Sequence, residues 1–170
     1  MASRLFSFPN PVNEVSARLV AGGVVVMALA AIIFQQPWLI AVIAYGFVAR
    51  VLTGPTLSPL GQIVTRLVTP RLPIAARPVA GPPKRFAQGI GATLTVAAAV
   101  LSLGFGLHTA GYILLGLVVA AATLESVFGY CVGCKIFGLL MRAGMIPEEI
   151  CAACADVWRN DPSLSLPGRA

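Results

Sequence analysis

Four apolar stretches, Leu19–Phe34, Trp38–Leu52, Gly89–Leu107 and Tyr112–Leu140, dominate the chain, and across all of them the only acidic residue is Glu125. Stretches of that length and purity have few places to go in water. Only 11% of the residues are charged, against about 25% in a typical soluble domain, and the mean hydropathy is +0.88. So few charges cannot cover the surface of a water-soluble globule of this size. Intrinsic disorder needs the opposite composition, low hydrophobicity and high charge. The chain is therefore expected to be an all-α integral membrane protein, with the lipid bilayer as its main surrounding.

The net charge of +6 does not point to nucleic acid, because the bases sit at or beyond the ends of the apolar stretches instead of along one face with aromatics between them. A spanning helix needs about 20 apolar residues. Flanking turns bring the first two stretches to length, so four spans are expected at about 17–34, 38–53, 89–107 and 111–134, within a transmembrane domain of residues 1–141. The fourth stretch is too long for one straight span, and its last turns should leave the membrane. Ala28-Leu29-Ala30 resembles a signal-peptidase site, but it lies inside the apolar run and a second run follows the Gln35-Gln36-Pro37 turn. A retained helical hairpin fits better, with Trp38 at the headgroup level.

Orientation follows from the bases. The turn at Gln35–Pro37 carries no charge and that at His108–Gly111 only a histidine, here expected to be solvated. Arg4 and Arg18 precede the first span, Arg66, Arg71, Arg77, Lys84 and Arg85 lie between the second and third, and Lys135, Arg142, Arg159 and Arg169 follow the fourth. The positive-inside rule then places both termini and the central loop in the cytoplasm, at the inner (plasma) membrane. That loop contains seven prolines from Pro55 to Pro83, which argues against a long regular helix. A short interfacial helix is expected at Leu57–Val68, with Ser58 as N-cap and Pro59 at the first helical position. The glycines at 22, 23, 89, 91, 104 and 106 are expected to permit close helix packing, and such faces suit a homo-oligomer.

All four cysteines lie in the last 40 residues, as Cys131-Val132-Gly133-Cys134 and Cys151-Ala152-Ala153-Cys154. Two CxxC pairs at this separation are the sequence pattern of a four-thiolate zinc site. Cytoplasmic thiols are kept reduced, so static disulfides are disfavoured, which leaves metal binding or a reacting dithiol. Pro147, Glu148 and Glu149 read as the start of a short helix at about 147–157, within a cytoplasmic tail of residues 142–170. Cys151 and Cys154 would share one face of it. Cys131 and Cys134 fall near the end of the fourth span, a helix C-terminus that does not favour a thiolate unless Gly129 or Gly133 breaks the helix. Glu125 needs a partner inside the membrane. Arg50 is expected to supply it, because the two lie at similar depths on helices that start from the same outer face.

Pro9-Asn10-Pro11-Val12-Asn13 with Arg18, Leu57-Ser58-Pro59-Leu60, Lys84-Arg85-Phe86-Ala87-Gln88-Gly89-Ile90-Gly91 and Phe128-Gly129-Tyr130-Cys131-Val132-Gly133-Cys134-Lys135 occur in this order. Together they resemble the bacterial four-helix membrane family known as domain of unknown function 4395, over about residues 8–141. The resemblance implies a four-helix membrane fold and, through the thioredoxin-like and rhodanese-like proteins that accompany such members, thiol or reduced-sulfur handling. The expected function is thus a membrane dithiol protein with Cys131 and Cys134 as the reacting pair, Cys151 and Cys154 resolving it or holding a second disulfide, and a thioredoxin-like or rhodanese-like partner. One alternative is a non-enzymatic scaffold whose tail is clamped by zinc on Cys131, Cys134, Cys151 and Cys154. Another is an oligomeric channel or transporter built on an Arg50–Glu125 pair.

Overall fold

The computed structural model describes residue 8 and residues 10–146. The described chain is mainly helical. Helix α1 spans Glu14–Ile33, α2 Pro37–Thr53, α3 Pro59–Ile63, α4 Gly81–Ala99, α5 His108–Phe128 and α6 Val132–Arg142. Two strands of two residues each, β1 (Val12–Asn13) and β2 (Pro78–Val79), pair antiparallel and tie the start of α1 to the end of the central loop. The Glu14 amide donates to the Arg77 carbonyl at 2.8 Å alongside them.

Local chemistry fixes most boundaries. Asn13 caps α1, its side chain accepting from the Val15 amide at 3.0 Å. Pro37 opens α2 at a position whose missing N–H costs nothing. Ser58 caps α3 by accepting from the Gly61 amide, with Pro59 in the first turn, as the sequence predicts. The chain runs on through a π-helical turn at Val64–Val68 and a 3-10 turn at Thr69–Arg71.

Two expectations need correction. Helix α4 begins at Gly81, not Gly89, because Pro82 and Pro83 occupy its first turn, where proline is tolerated, instead of breaking it. This carries Lys84 out of the loop and into the helix. The fourth apolar stretch is not one helix to residue 134: α5 stops at Phe128, and α6 starts anew at Val132.

Helices α1, α4 with its terminal π-helical turn to Gly104, and α5 are long and apolar enough to cross a membrane, whereas α2 is a shorter apolar helix of 17 residues. In the bundle α2 packs chiefly on α4 and α1 on α5, while α4 also packs on α5 and α6. The core is built of small and medium residues, Ala28, Ala31, Ile40, Ala98 and Leu115, all fully buried. Large apolar side chains such as Val26, Ile33, Phe105, Ile113 and Phe128 point outward. That inversion suits a hydrocarbon surrounding and would be an aggregation hazard in water.

Glycine makes the helix contacts close. A Cβ at Gly91 would fall 2.3 Å from the Phe47 ring, and one at Gly23 2.7 Å from Leu60. Gly89 and Gly106 face open space, so the packing role expected of them does not hold there. His108 is exposed at the start of α5, with Nδ1 2.9 Å from the Ser102 hydroxyl.

Candidate functional site

The break between α5 and α6 builds the site. Gly129 adopts a left-handed conformation (φ 68°), its amide donates to the Glu125 carbonyl at 3.0 Å, and the Tyr130 amide reaches back to the Leu124 carbonyl at 3.1 Å. This is the αL cap, in which the amide of a left-handed residue returns to the carbonyl four residues back; it satisfies a terminal helix carbonyl and needs a residue free of Cβ strain. Arg18, on α1, completes the cap by donating from Nε to the Ser126 carbonyl (3.2 Å) and from Nη2 to the Val127 carbonyl (2.8 Å). A guanidinium is well placed at a helix C-terminus, where the carbonyl dipoles converge.

The chain turns here, so Cys131 is the N-cap of α6 and not a residue at the end of α5. Its backbone is extended (φ −88°, ψ 103°), and its carbonyl accepts the first helical bond from the Lys135 amide at 3.2 Å. Cys134 follows in the first turn. No disulfide joins the two cysteines, Cys131 being buried and Cys134 half-buried. The dithiol therefore sits at the positive end of a helix, the setting that favours a thiolate.

Close packing of α6 on α4 fixes the pair in place. A Cβ at Gly133 would meet Ala87 Cβ at 2.5 Å and Ala87 Cα at 2.6 Å, and the Phe86 and Phe137 rings pack with centroids 5.5 Å apart. The glycine between the two cysteines thus lets α6 lie directly against the α4 backbone. A cavity of about 100 Å³ opens beside them, lined by Cys131, Glu125 and Gln88 together with Phe47, Leu94 and Val118.

Glu125 is paired, but not with Arg50. The Lys84 ammonium lies 2.5 Å from Glu125 Oε1, with both side chains largely buried. Arg50 is spent elsewhere: Nε donates to Gln88 Oε1 (3.0 Å) and Nη1 to Ser58 Oγ (3.1 Å), and the guanidinium lies 4.5 Å over the Phe47 ring. The expected Arg50–Glu125 pair is therefore corrected to Lys84–Glu125. Arg50 still feels the charge of Glu125, but the direct contact to Glu125 is made by Lys84 on α4. Lys84 does not stand out in the sequence, because the prolines beside it read as loop. The usable signal was that two prolines followed by Lys84 fit a helix first turn.

The two thiols are driven apart in acidity. Cys131 is held below the ordinary thiol value, first because the Cys134 thiol stabilises its thiolate by hydrogen bonding, with the Lys84 ammonium and the Cys134 amide acting in the same sense and burial and Glu125 opposing. Cys134 is pushed well above that value, first by its interaction with Cys131, then by burial and by the charge Cys131 carries. Cys131 therefore loses its proton before Cys134 does.

Cys151 and Cys154, and the helix expected at 147–157, lie outside the described residues. Among the described residues no group of three or more His, Cys, Asp or Glu side chains is placed to hold a metal ion. Cys131 and Cys134 could contribute two thiolates to zinc, and the other two ligands would have to come from Cys151 and Cys154.

The model of a family described as domain of unknown function DUF4395 matches residues 12–142. The chain belongs to the DUF4395 family. The match begins at the β1 strand and ends with α6, so it takes in the Gly129 turn, Cys131, Cys134, Lys84 and Glu125. Neither a curated protein nor a solved structure matches the chain significantly.

Proposed function

We propose that this DUF4395 protein is a membrane-embedded dithiol that exchanges electrons, or reduced sulfur, with a thioredoxin-like or rhodanese-like partner. The observation that carries the reading is the placement of Cys131 as N-cap of α6 with Cys134 one turn on, beside the buried Lys84–Glu125 pair. In this reading α2 is a fourth span, its 17 residues completed by the turns on either side. Both termini, the central loop and the cysteines face the cytoplasm of a bacterial plasma membrane, as the distribution of bases favours.

In the redox form of the reaction, the Cys131 thiolate attacks one sulfur of a partner disulfide and displaces the other as a thiolate. Cys134 then attacks Cys131 Sγ in the mixed disulfide and gives its proton to the displaced partner thiolate. The partner leaves reduced by two electrons, as one thiol and one thiolate that takes its proton from water, and Cys131–Cys134 is oxidised to a disulfide. Cys151 and Cys154 would reduce that disulfide by the same exchange and hold the disulfide in its place.

The test is the pH dependence of thiol alkylation on the purified, reduced protein. The thiolate is the reacting species, so the rate at Cys131 rises with pH through its folded-state pKa and levels off above it. The lowered pKa places that inflection below the ordinary thiol value, about 8.5, with Cys134 unreactive across the same range. Cys134→Ala removes the leading cause of the lowering and moves the Cys131 inflection upward. A Cys131 profile at the ordinary thiol value and insensitive to Cys134→Ala would refute the reading. So would one tightly held zinc per chain with all four thiols unreactive, which would favour the zinc-clamped scaffold.

A further inference from the structure

A second cavity, of about 210 Å³, lies under the β1–β2 ladder between the start of α1, the end of α2 and the first turns of α4. It is far larger than the ~10–15 Å³ that one water requires. Its walls are mostly apolar, from Val12, Ala17 and Val20 among others, and the polar side chains facing it include Arg50, Lys84 and Gln88. The cations are not surface groups, since Arg50 is 6% exposed and Lys84 8%.

The hydrogen-bonding inventory is one-sided. A guanidinium has five N–H donors and an ammonium three. Arg50 donates to Gln88 and Ser58 through Nε and Nη1, and Nη2 has no acceptor among the described residues. Lys84 makes one such bond, to Glu125. Gln88 spends its carbonyl oxygen on Arg50, which leaves its amide nitrogen as a donor. No carboxylate among the described residues pairs with Arg50. Arg50, Lys84 and Glu125 therefore leave one net positive charge buried in the bundle, an arrangement that is costly unless an anion compensates it.

We propose that this cavity is an oxyanion site, taking a phosphate- or sulfate-type group on Arg50, with Lys84 and Gln88 as further donors. The group can arrive as a free inorganic anion or as the phosphodiester of an anionic lipid, which carries one negative charge. The site does not depend on the cysteines. It shares Gln88 with the thiol cavity, and the Lys84–Glu125 pair lies between the two.

The full-length protein in nanodiscs of zwitterionic lipid and chloride-free buffer is titrated calorimetrically with sodium phosphate and with sodium sulfate. In parallel, nanodiscs containing phosphatidylglycerol are used, and retained lipid is counted by native mass spectrometry. Saturable binding of either inorganic anion, or retention of one phosphatidylglycerol per chain, supports the site and identifies its source. Arg50→Gln removes the charge-assisted bonds and should weaken binding by about tenfold to a hundredfold. Ala17→Leu fills the cavity from α1 without touching a cation, and should abolish binding in a protein that folds normally. Wild-type protein that binds neither inorganic anion nor the anionic lipid, or binding that survives undiminished in Ala17→Leu, overturns the proposal. A variant with both Cys131 and Cys134 replaced by serine should bind as wild type, which separates this site from the dithiol chemistry.

Discussion

Gly133 is the point at which one missing methyl group sets the position of the dithiol, so Gly133→Ala is the most informative single change. The new Cβ would lie 2.5 Å from Ala87 Cβ and 2.6 Å from Ala87 Cα, where ordinary contacts run from 3.4 to 4 Å. Half of that clash is against backbone, which cannot rotate aside, so α6 must move off α4 by about 1 Å. Overpacking of this kind costs about 1–3 kcal/mol, or about 5-fold to 150-fold in the folding equilibrium. The assay is reversible unfolding in mixed micelles, followed by far-ultraviolet circular dichroism. Ala87→Gly removes only the nearer of the two atoms and carries its own helix-propensity cost of about 1 kcal/mol. The double variant should therefore show partial, not full, relief, visible as a positive coupling in the mutant cycle. A Gly133→Ala protein as stable as wild type would refute the close α4–α6 approach, and with it the placement of Cys131 and Cys134 beside Glu125.

Two further outcomes follow from the same geometry. Lys84→Met leaves the Glu125 carboxylate buried without its partner and should destabilise by about 3–5 kcal/mol, whereas the double change with Glu125→Leu should recover most of the loss. If the single variant is as stable as the double in the same unfolding assay, the ion pair does not exist. At Gly129 the left-handed φ of 68° makes Ala cost about 1–2 kcal/mol, and Asn, which tolerates that conformation, should cost less. Equal losses for Ala and Asn would show that the turn is not held in this conformation.

Much of the architecture could be read before any coordinates. The apolar stretches and the sparse charge give the helices. The Gln35–Pro37 turn and the Ser58–Pro59 start are written in residues whose backbone preferences act locally. The tight glycine at position 91 reads as a packing glycine, although Gly89 and Gly106 carry the same letter and meet nothing among the described residues of the chain. The harder part was whether a helix continues or breaks. Pro82 and Pro83 look the same in a loop and in a helix first turn, and only their neighbours in space decide which. Gly129 marks a break that thiolate chemistry at Cys131 requires, but an apolar run that continues through it does not show whether the helix stops there.

The amino-acid sequence on its own determined that this chain is helical and apolar, that its positive charges collect at one end of the helices, and that a CxxC pair follows the last long one. Those properties depend on composition and on residues a few positions apart. Tertiary structure decided which charges meet and which way the thiols face. Glu125 chose Lys84 over Arg50 because α4 lies between their helices, and Cys131 became a helix N-cap because Arg18, more than a hundred residues earlier, caps the turn that redirects the chain. Pairing energies of buried charges depend on distances across the bundle, and no local pattern encodes those.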